Sequence, residues 1–295
     1  ATGSGLGSSL DATNITNINY FITGYNATPV YAQPITATYQ LKNIPTGSMV
    51  KVLGSNQYLY SVNFYDDHYR VIQTQSINIS GGKDIATTQY DFSGKILRSL
   101  VEHRKNGVNT QSHTVLTKRA YDHAGRLLTI TKTINSTVNG QTVSVPEKTI
   151  LQNQYDNLGQ LKTKSLSITG AGSLETLTYD YNIRGWMLGA NRDYAKTSSN
   201  TTNYFGFDLG YDKTISTYTL AQYNGNIGGT VWKTKGDNEV RKYDFTYDNV
   251  NRLTGADFNQ YTGGAFNKSA GVDFSVSNLT FDGNGNILSM HQTGL

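Results

Sequence analysis

The sequence predicts an all-β protein built from consecutive antiparallel β-hairpins, and three observations support this fold class. A motif of seven residues recurs along the chain. It consists of an aromatic residue, Asp or Asn, two variable residues, Gly, a further variable residue and an aliphatic residue. Between its copies, apolar and polar residues alternate with a period of two, which is typical of half-buried strands. The chain has 30 Gly and 21 Tyr but only 4 Pro, a composition that favours strands and turns over helices or disorder.

The motif is clearest at residues 121–128, which read YDHAGRLL. We number its positions from the aromatic residue, so that Asp or Asn is position 2, Gly position 5 and the aliphatic residue position 7. Further copies start at Tyr90, Tyr155, Tyr181, Tyr247 and Phe281, with a looser one at Tyr65. From Tyr65 onward, successive copies are 25 to 34 residues apart, except for one gap of 66 that fits two units. Repetition at this period indicates an array of similar structural units.

Each copy predicts a strand, a tight turn and a second strand. Asp at the start of the turn accepts hydrogen bonds from its own backbone, and Gly at its fourth residue tolerates a positive φ. One hairpin is marginally stable in water, so neighbouring hairpins are expected to pair edge to edge. The predicted structural repeat positions are Tyr65, Tyr90, Asp91, Gly94, Tyr121, Asp122, Gly125, Tyr155, Asp156, Gly159, Tyr181, Gly185, Tyr247, Asp248, Phe281 and Asp282.

The repeats divide the chain into two predicted regions. Residues 1–45 lack the motif and are predicted to form a non-repeat N-terminal segment with some β-strand, because Ile35–Leu41 alternates with a period of two. Residues 46–295 carry the hairpin array, which is degenerate between residues 186 and 246. We expect the array to continue beyond the end of this sequence, and we expect edge strands near Tyr39 and Met290 that attract partners.

Motifs that carry chemistry are weak in this chain. It has no Cys, which excludes disulfides and thiolate metal sites, and its five His are dispersed. Residues 282–286 begin like a calcium loop, but Ile287 and Thr293 stand where that loop needs Gly and Glu, so a hairpin turn is favoured. The net charge is +4, but the Lys and Arg residues form no basic cluster of the kind that binds nucleic acid. The chain also has no run of 18 apolar residues that could span a membrane. We predict no catalytic, metal or cofactor site, no nucleic-acid partner and no transmembrane segment.

The ordered set of motif copies resembles the YD repeats of bacterial Rhs proteins, and more distantly those of ABC toxin cocoon subunits and teneurins. The resemblance covers about residues 45–295, beginning with VNFYDDHYRVIQTQ at 62–75 and including FTYDNVNRLTGA at 245–256. It implies a ribbon of hairpins that curves and spirals into a hollow β-shell around a C-terminal toxin or other effector. The Pro- and Asp-rich core segment, which in some members cuts itself from the cargo, is not found after Leu288, so no self-cleaving Asp pair is carried over.

From this resemblance we expect a non-enzymatic structural segment of a secreted or surface Rhs shell that encapsulates or presents a polypeptide cargo. The expected partners are that cargo or the remainder of a longer Rhs chain, together with secretion machinery. The expected location is outside, or on the outer surface of, a Gram-negative bacterium, with type IX secretion as the route. The alternative function is a cell-surface adhesin or carbohydrate-binding module that uses an exposed aromatic sheet face, with Trp186 and Trp232 as candidate stacking residues.

Overall fold

The computed structural model describes residues 5–170, 172–197, 199–212 and 217–294, and the backbone but not the side chain of Thr169. It confirms the predicted fold class, because the described residues form eighteen strands and one five-residue helix, α1 (Arg192–Lys196). Within those ranges, no helix combines the length and the apolar character needed to cross a membrane.

The chain divides into two compact units, one of Ala1–Gln152 with Ser167–Gly172 and one of Asn153–Leu166 with Ser173–Leu295. The first unit contains seven strands and most of an eighth: β1 (Gly47–Lys51), β2 (Tyr58–Tyr65), β3 (Val71–Ile77), β4 (Lys83–Tyr90), β5 (Ile96–Lys105), β6 (Gln111–Tyr121), β7 (Leu127–Val138) and β8 (Gln141–Tyr155). Each pairs antiparallel with the next, from β1 through β8.

The second unit contains α1 and most or all of ten strands: β9 (Leu161–Thr169), β10 (Gly172–Tyr181), β11 (Met187–Ala190), β12 (Phe205–Gly210), β13 (Gly229–Thr234), β14 (Val240–Tyr247), β15 (Leu253–Thr262), β16 (Ala265–Asn267), β17 (Val276–Phe281) and β18 (Ile287–Gln292). Antiparallel pairing again follows chain order from β10 to β16. β15 also pairs with β17, which pairs with β18.

The motif sets the ends of the strands as predicted. The strand before each copy ends at the aromatic residue of position 1, and the strand after it begins at position 7, as at Tyr121 and Leu127. In the β6–β7 pair, the register shifts by one residue between Ala120 and Tyr121. The same shift precedes the aromatic residue in five other copies. A bulge of this kind lets the strand end in a fixed turn without changing which face its remaining side chains occupy.

The strand predicted at Ile35–Leu41 is not present. Among residues 5–46, the only β-pairing described is an isolated bridge between Ala32 and Asp91. This N-terminal segment instead lies across one face of the first unit, where Phe21 and Ile35 are buried. Their cluster on that face is completed by Phe64, Ile72, Leu100 and Leu116. Tyr39, which the alternation placed on the same side as Ile35, is 83% exposed. The backbone of this stretch makes isolated bonds to strand ends, such as that from the N–H of Thr38 to the carbonyl of Tyr65 at 2.8 Å.

The edge expected near Tyr39 is therefore at a different place. The first strand of the first unit is β1, whose register partners are all in β2 and whose five residues are all exposed. The last strand of the second unit is β18, again with every residue exposed, so the expected edge near Met290 is present.

The second unit covers its sheet with its own connecting segments. The ring of Tyr218 lies on two glycines that face each other across β12 and β13, Gly210 and Gly229. A Cβ atom at Gly210 would come within 2.6 Å of that ring, so only Gly lets it pack there. Tyr218 then forms a small core with Val231 and Val240.

Candidate functional site

The Asp or Asn at motif position 2 holds each turn together. Asp122 Oδ1 accepts hydrogen bonds from the backbone N–H groups of Ala124 at 2.9 Å and Arg126 at 2.8 Å. The two matching contacts recur at Asp66, Asp156, Asn182, Asp248 and Asp282. The backbone N–H of Arg126 is the main reason why the pKa of Asp122 lies below its usual value. These carboxylates are structural acceptors and are not arranged as acid–base pairs.

The residue at position 5 adopts the predicted backbone conformation. φ is 90° at Gly94, 79° at Gly125 and 83° at Gly159, which confirms the turn assignment. Two copies place another residue in this region, Tyr69 with φ of 60° and Asn251 with φ of 66°. Gly has a second role at residue 125, because a Cβ atom there would approach Lys95 Cε to 2.6 Å. The turn of one repeat thus leaves room for a side chain of the preceding one.

The motif tyrosines connect each repeat to the one before it. The hydroxyl of Tyr90 donates to the carbonyl of Val71, and that of Tyr121 to the carbonyl of Ile96, both at 3.0 Å. In each case the acceptor is position 7 of the preceding copy. Tyr181, Tyr211 and Tyr247 make the corresponding bond to Leu161, Met187 and Ile227. The contact is the same in these five, as predicted for Tyr90, Tyr121 and Tyr247. Burial is lower than expected, since these three and Tyr155 are half-buried.

Tyr211 marks a further copy of the repeat within the region predicted to be degenerate. It lies in the degenerate region and is followed by Asp212, a pair of the right type 30 residues after Tyr181. Its hydroxyl bond to Met187 places it at position 1 of a further copy. The bond from Tyr247 to Ile227 places Ile227 at position 7 of the same copy, which is therefore ten residues longer than the others between positions 1 and 7. The hydroxyl contacts between neighbouring repeats therefore continue through the degenerate region, where the motif itself is interrupted.

Removing one such hydroxyl should weaken the array measurably. We expect Tyr121→Phe to lower the free energy of unfolding by about 1 kcal/mol, because the carbonyl of Ile96 loses its donor. Urea unfolding followed by circular dichroism measures this change. Tyr223→Phe is the control, since Tyr223 is 72% exposed and should tolerate the change. Equal stability of the two variants would show that the repeated hydroxyl bond contributes nothing.

Arginine at position 6 was not among the predicted site residues, yet it joins neighbouring turns. Arg70 Nε donates to Asp66 Oδ2 of its own turn at 2.6 Å, and its Nη1 donates to the carbonyl of Asp91 in the next turn at 3.2 Å. Its guanidinium also lies 4.8 Å from the ring centre of Tyr90. Arg252 repeats all three contacts with Asp248, Asp282 and Phe281. The signal in the sequence was Arg at position 6 in three copies, at residues 70, 126 and 252.

A row of glutamines lies beneath the N-terminal segment. Gln73 and Gln75 on β3 and Gln89 on β4 share one face of the sheet, and each is 1% exposed; we call them the glutamine row. Gln73 Oε1 accepts from the backbone N–H of Asp11 at 2.8 Å, while its Nε2 donates to the carbonyl of Asp11 at 3.1 Å. Gln75 Nε2 donates to the carbonyl of Ser9 at 3.2 Å and to Gln73 Oε1.

Gln89 binds another part of the segment in the same way. Its Oε1 accepts from the backbone N–H of Ile22 at 2.9 Å, and its Nε2 donates to the carbonyl of Ile22 at 2.8 Å. The same Nε2 lies 3.1 Å from the carbonyl of Gln33. A primary amide carries a donor and an acceptor side by side, as a peptide group does. The hydrogen bonds between the row and residues 5–46 thus go to main-chain atoms of the segment.

Asp11 adds an electrostatic anchor whose strength depends on pH. Its hydrogen bond with Thr13, and then the bond with Lys83 at 3.0 Å, lower the pKa of Asp11 to about 2 from its usual value of 3.8. A lowered folded-state pKa contributes stability above the unfolded pKa, and this contribution is lost as pH falls through the folded pKa.

We therefore expect the stability difference between the natural protein and Asp11→Asn to be constant above about pH 5. It should shrink as the pH falls from about 4 towards 2. Urea unfolding at a series of pH values measures the difference. A difference that stays unchanged down to pH 2 would show that the Asp11 carboxylate does not stabilise the fold.

In the second unit, charged side chains on the sheet hold the covering segments. Lys233, which is fully buried, donates from Nζ to the carbonyl of Thr197 at 3.2 Å and to that of Asn200. Asp208, 2% exposed, accepts from Arg192 of α1 and, at 2.5 Å, from the hydroxyl of Tyr218. Burial, and then this hydrogen bond to Asp208, raise the pKa of Tyr218 far above its usual value.

The opposite face of the second unit carries an aromatic row. Trp232 is stacked on Tyr243 with ring centres 5.4 Å apart and an interplanar angle of 20°. Tyr243 also contacts Phe245 and Phe258. The rings pack against one another across neighbouring strands, which is the usual role of aromatic pairs in sheets. Arg241 and Gln260 lie beside Trp232 in the same cross-strand register.

Within the part of the chain that the structure describes, one group of three side chains has the spacing of metal ligands, namely Asp66, Asp67 and His68. Both carboxylate oxygens of Asp66 already accept hydrogen bonds, from backbone N–H groups and from Arg70. His68 Nδ1 is bonded to Asp67 at 2.8 Å, and both side chains are largely exposed. We assign no metal to this group.

The predicted repeat positions are not brought together at one place. They recur singly, each at the end of a strand or in the turn that follows it. The chain matches no protein-family model, and no match was found among the curated proteins. Two surfaces are therefore candidates for binding a partner. One is the face of the first unit that carries the glutamine row, and the other is the aromatic row of the second unit.

Proposed function

We propose that this chain is a non-enzymatic structural segment of a secreted or surface Rhs-type shell that encapsulates or presents a polypeptide cargo, such as a toxin or effector. One observation carries the proposal. In both units, buried side chains of the sheet bind the backbone of chain segments that lie on its face, through Gln73 and Gln89 in the first and Lys233 in the second. A sheet of this kind holds polypeptide by its main chain, which suits a wall around a cargo.

The coupling between repeats supports the same role. Hydroxyl bonds such as that from Tyr90 to Val71, and guanidinium bridges such as that of Arg70, tie each hairpin to its neighbour. Nearest-neighbour coupling lets an array grow without a central core. Such a wall gains its stability along the ribbon, so one face is free to contact another polypeptide.

Mass spectrometry of the natural protein that contains this chain, isolated from its producer, tests the proposal. After limited proteolysis under native conditions, we expect the repeats to survive together with a polypeptide segment from outside them. That segment should become cleavable only when denaturant opens the repeats. Digestion of all polypeptide outside the repeats under native conditions would contradict the proposal.

The proposed location has its own test. We expect the natural protein in the culture medium or on the outer surface of a Gram-negative producer, and retained inside when its type IX machinery is deleted. Recovery from the cytoplasm alone would contradict this part of the proposal.

A second candidate function, carbohydrate binding by an adhesin, is favoured by the aromatic row. Trp232 is half-buried, and Gln260, two strands away in its register, has a buried Oε1 for which no partner occurs among the described residues. Aromatic rings beside such groups are suited to stacking and hydrogen bonding with sugars. Affinity electrophoresis in gels that contain bacterial polysaccharide tests this, with Trp232→Ala expected to abolish any retardation.

A further inference from the structure

We propose that the glutamine row is a binding site for the main chain of an extended polypeptide, occupied in this structure by the chain's own N-terminal segment. Its second occupant is an extended segment of the cargo, which replaces residues 8–11. This inference rests on the proposed function, since it names the surface on which a cargo would lie.

The contacts of the row identify the chemistry of the ligand. Gln73 and Gln89 each bind both the N–H and the carbonyl of one residue, Asp11 and Ile22 respectively. This two-bond pattern is what one strand offers another at a hydrogen-bonded pair in a sheet. Among residues 5–46, the hydrogen bonds described for these amides go to main-chain atoms, so the row itself selects for extended backbone.

The present occupant leaves the site incompletely filled. Gln75 Nε2 binds the carbonyl of Ser9, but Gln75 Oε1 is buried and has no partner among the residues that the structure describes. The pattern at Gln73 and Gln89 predicts a backbone N–H at this place. A buried acceptor without a donor is unfavourable, so an occupant in the register of a strand would be held more completely.

Space for such an occupant lies beside Gln75. A cavity of about 460 Å³ is bounded by Ser8, Ser9 and Leu10 of the segment, by residues 35–41, and by the sheet residues Val62 and Phe64. Val62 is the register partner of Gln75, so the cavity lies on the strand next to Gln75, although Gln75 itself does not line it. Its apolar floor suits an aliphatic or aromatic side chain. The preferred ligand is therefore an extended segment with one large apolar residue.

The probe for this site is a fluorescent peptide of residues 5–15, added to the full chain. In the natural chain the site is occupied, so we expect weak binding. Asp11→Pro removes the N–H that Gln73 accepts and the carboxylate that Lys83 binds, and so frees the site. Peptide affinity measured by fluorescence anisotropy should then rise at least tenfold. Adding Gln73→Met to that variant should return it to the original level.

The peptide also carries the sharpest control. N-methylation of the amide of Asp11 removes the donor and keeps every side chain, and it should weaken binding at least tenfold. N-methylation at Ser8 should leave binding unchanged within about fivefold, which corresponds to about 1 kcal/mol. Shuffling of the exposed residues 7, 8, 9 and 12 should also leave it unchanged, because Leu10, Asp11 and Asn14 then keep their own contacts. Equal binding of the two methylated peptides would overturn main-chain recognition.

Hydrogen exchange on the full chain keeps the proposal testable if Asp11→Pro fails to fold. Gln73→Met should speed exchange of the Asp11 amide at least tenfold, while Gln141→Met, at an exposed site, should not. An unchanged Asp11 rate overturns the site. If the peptide binds but the natural protein protects no cargo, the shell function fails and the site stands. If cargo is protected and the peptide does not bind, only the site fails.

Discussion

Asp208→Ala should destabilise the second unit by about 3 kcal/mol or more, the largest effect we expect from a single substitution. Asp208 is 2% exposed and is the shared acceptor for Arg192 and for the hydroxyl of Tyr218. Removing one partner of a buried ion pair costs about 3–5 kcal/mol, because the other charge is left unpaired. The side chain of Arg192 is 26% exposed, so water offsets part of this cost and the lower end of the range is expected.

Tryptophan fluorescence during urea unfolding measures the effect selectively, because Trp186 and Trp232 both lie in the second unit. Asp193→Ala is the matched control, since Asp193 is an exposed carboxylate next to Arg192 in α1. Asp208→Asn should recover part of the loss, as an amide still accepts from Tyr218. A loss below about 1 kcal/mol for Asp208→Ala would mean that the buried cluster does not hold α1 on the sheet.

The repeat turns could be predicted from sequence because every interaction that forms them is local. Asp122 binds backbone N–H groups two and four residues later, and Gly125 provides the positive φ three residues on. Seven residues, positions 1 to 7, therefore specify the turn, the bulge and the ends of both strands. The same locality explains why the copy that starts at Tyr211 was not recognised, since ten additional residues separate its Tyr-Asp pair from Ile227 while the hydroxyl contacts continue.

The covered face could not be predicted, because its burial depends on a segment more than 60 residues away. In a strand, Gln73 and Gln75 look like the solvent-facing half of a period-two pattern. They are buried beneath a segment in which Asp11 and Ser9 bind their amides through backbone groups that carry no sequence signal. The alternation of Ile35–Leu41 was misleading, since of its in-phase residues Ile35 and Ala37 pack on the sheet face while Tyr39 is 83% exposed.

Arg70→Ala is expected to give the second-largest loss, about 2 kcal/mol, because it removes contacts within one turn and between two turns. Hydrogen bonds to charged groups contribute about 1.5–3 kcal/mol, and a cation over a ring adds about 0.5–1 kcal/mol at exposed sites. Arg70 makes charged hydrogen bonds with Asp66 and the carbonyl of Asp91, and its guanidinium lies over the ring of Tyr90. Its side chain is 19% exposed, which limits screening by water.

Lysine at position 70 should not restore the stability that Arg70 provides. A lysine at position 6 of another copy allows a direct comparison. At position 6 of the next copy, Lys95 Nζ lies 3.6 Å from Asp91 and bonds to Ser93, so its polar contacts stay within its own turn. A guanidinium has donors on a rigid fork, which lets Arg70 reach two turns at once, whereas an ammonium is a single point charge. We therefore expect Arg70→Lys to recover less than half of the loss, and Lys95→Arg to stabilise the first unit.

Urea unfolding followed by circular dichroism measures these variants, with Arg104→Ala as the control because Arg104 is exposed. Arg252→Ala should reproduce the loss in the second unit, since Arg252 makes the same three contacts with Asp248, Asp282 and Phe281. Agreement between the two arginines would establish coupling between turns as a property of the repeat. If Arg70→Ala matches Arg104→Ala, or if lysine restores full stability, the bridge between turns contributes nothing beyond charge.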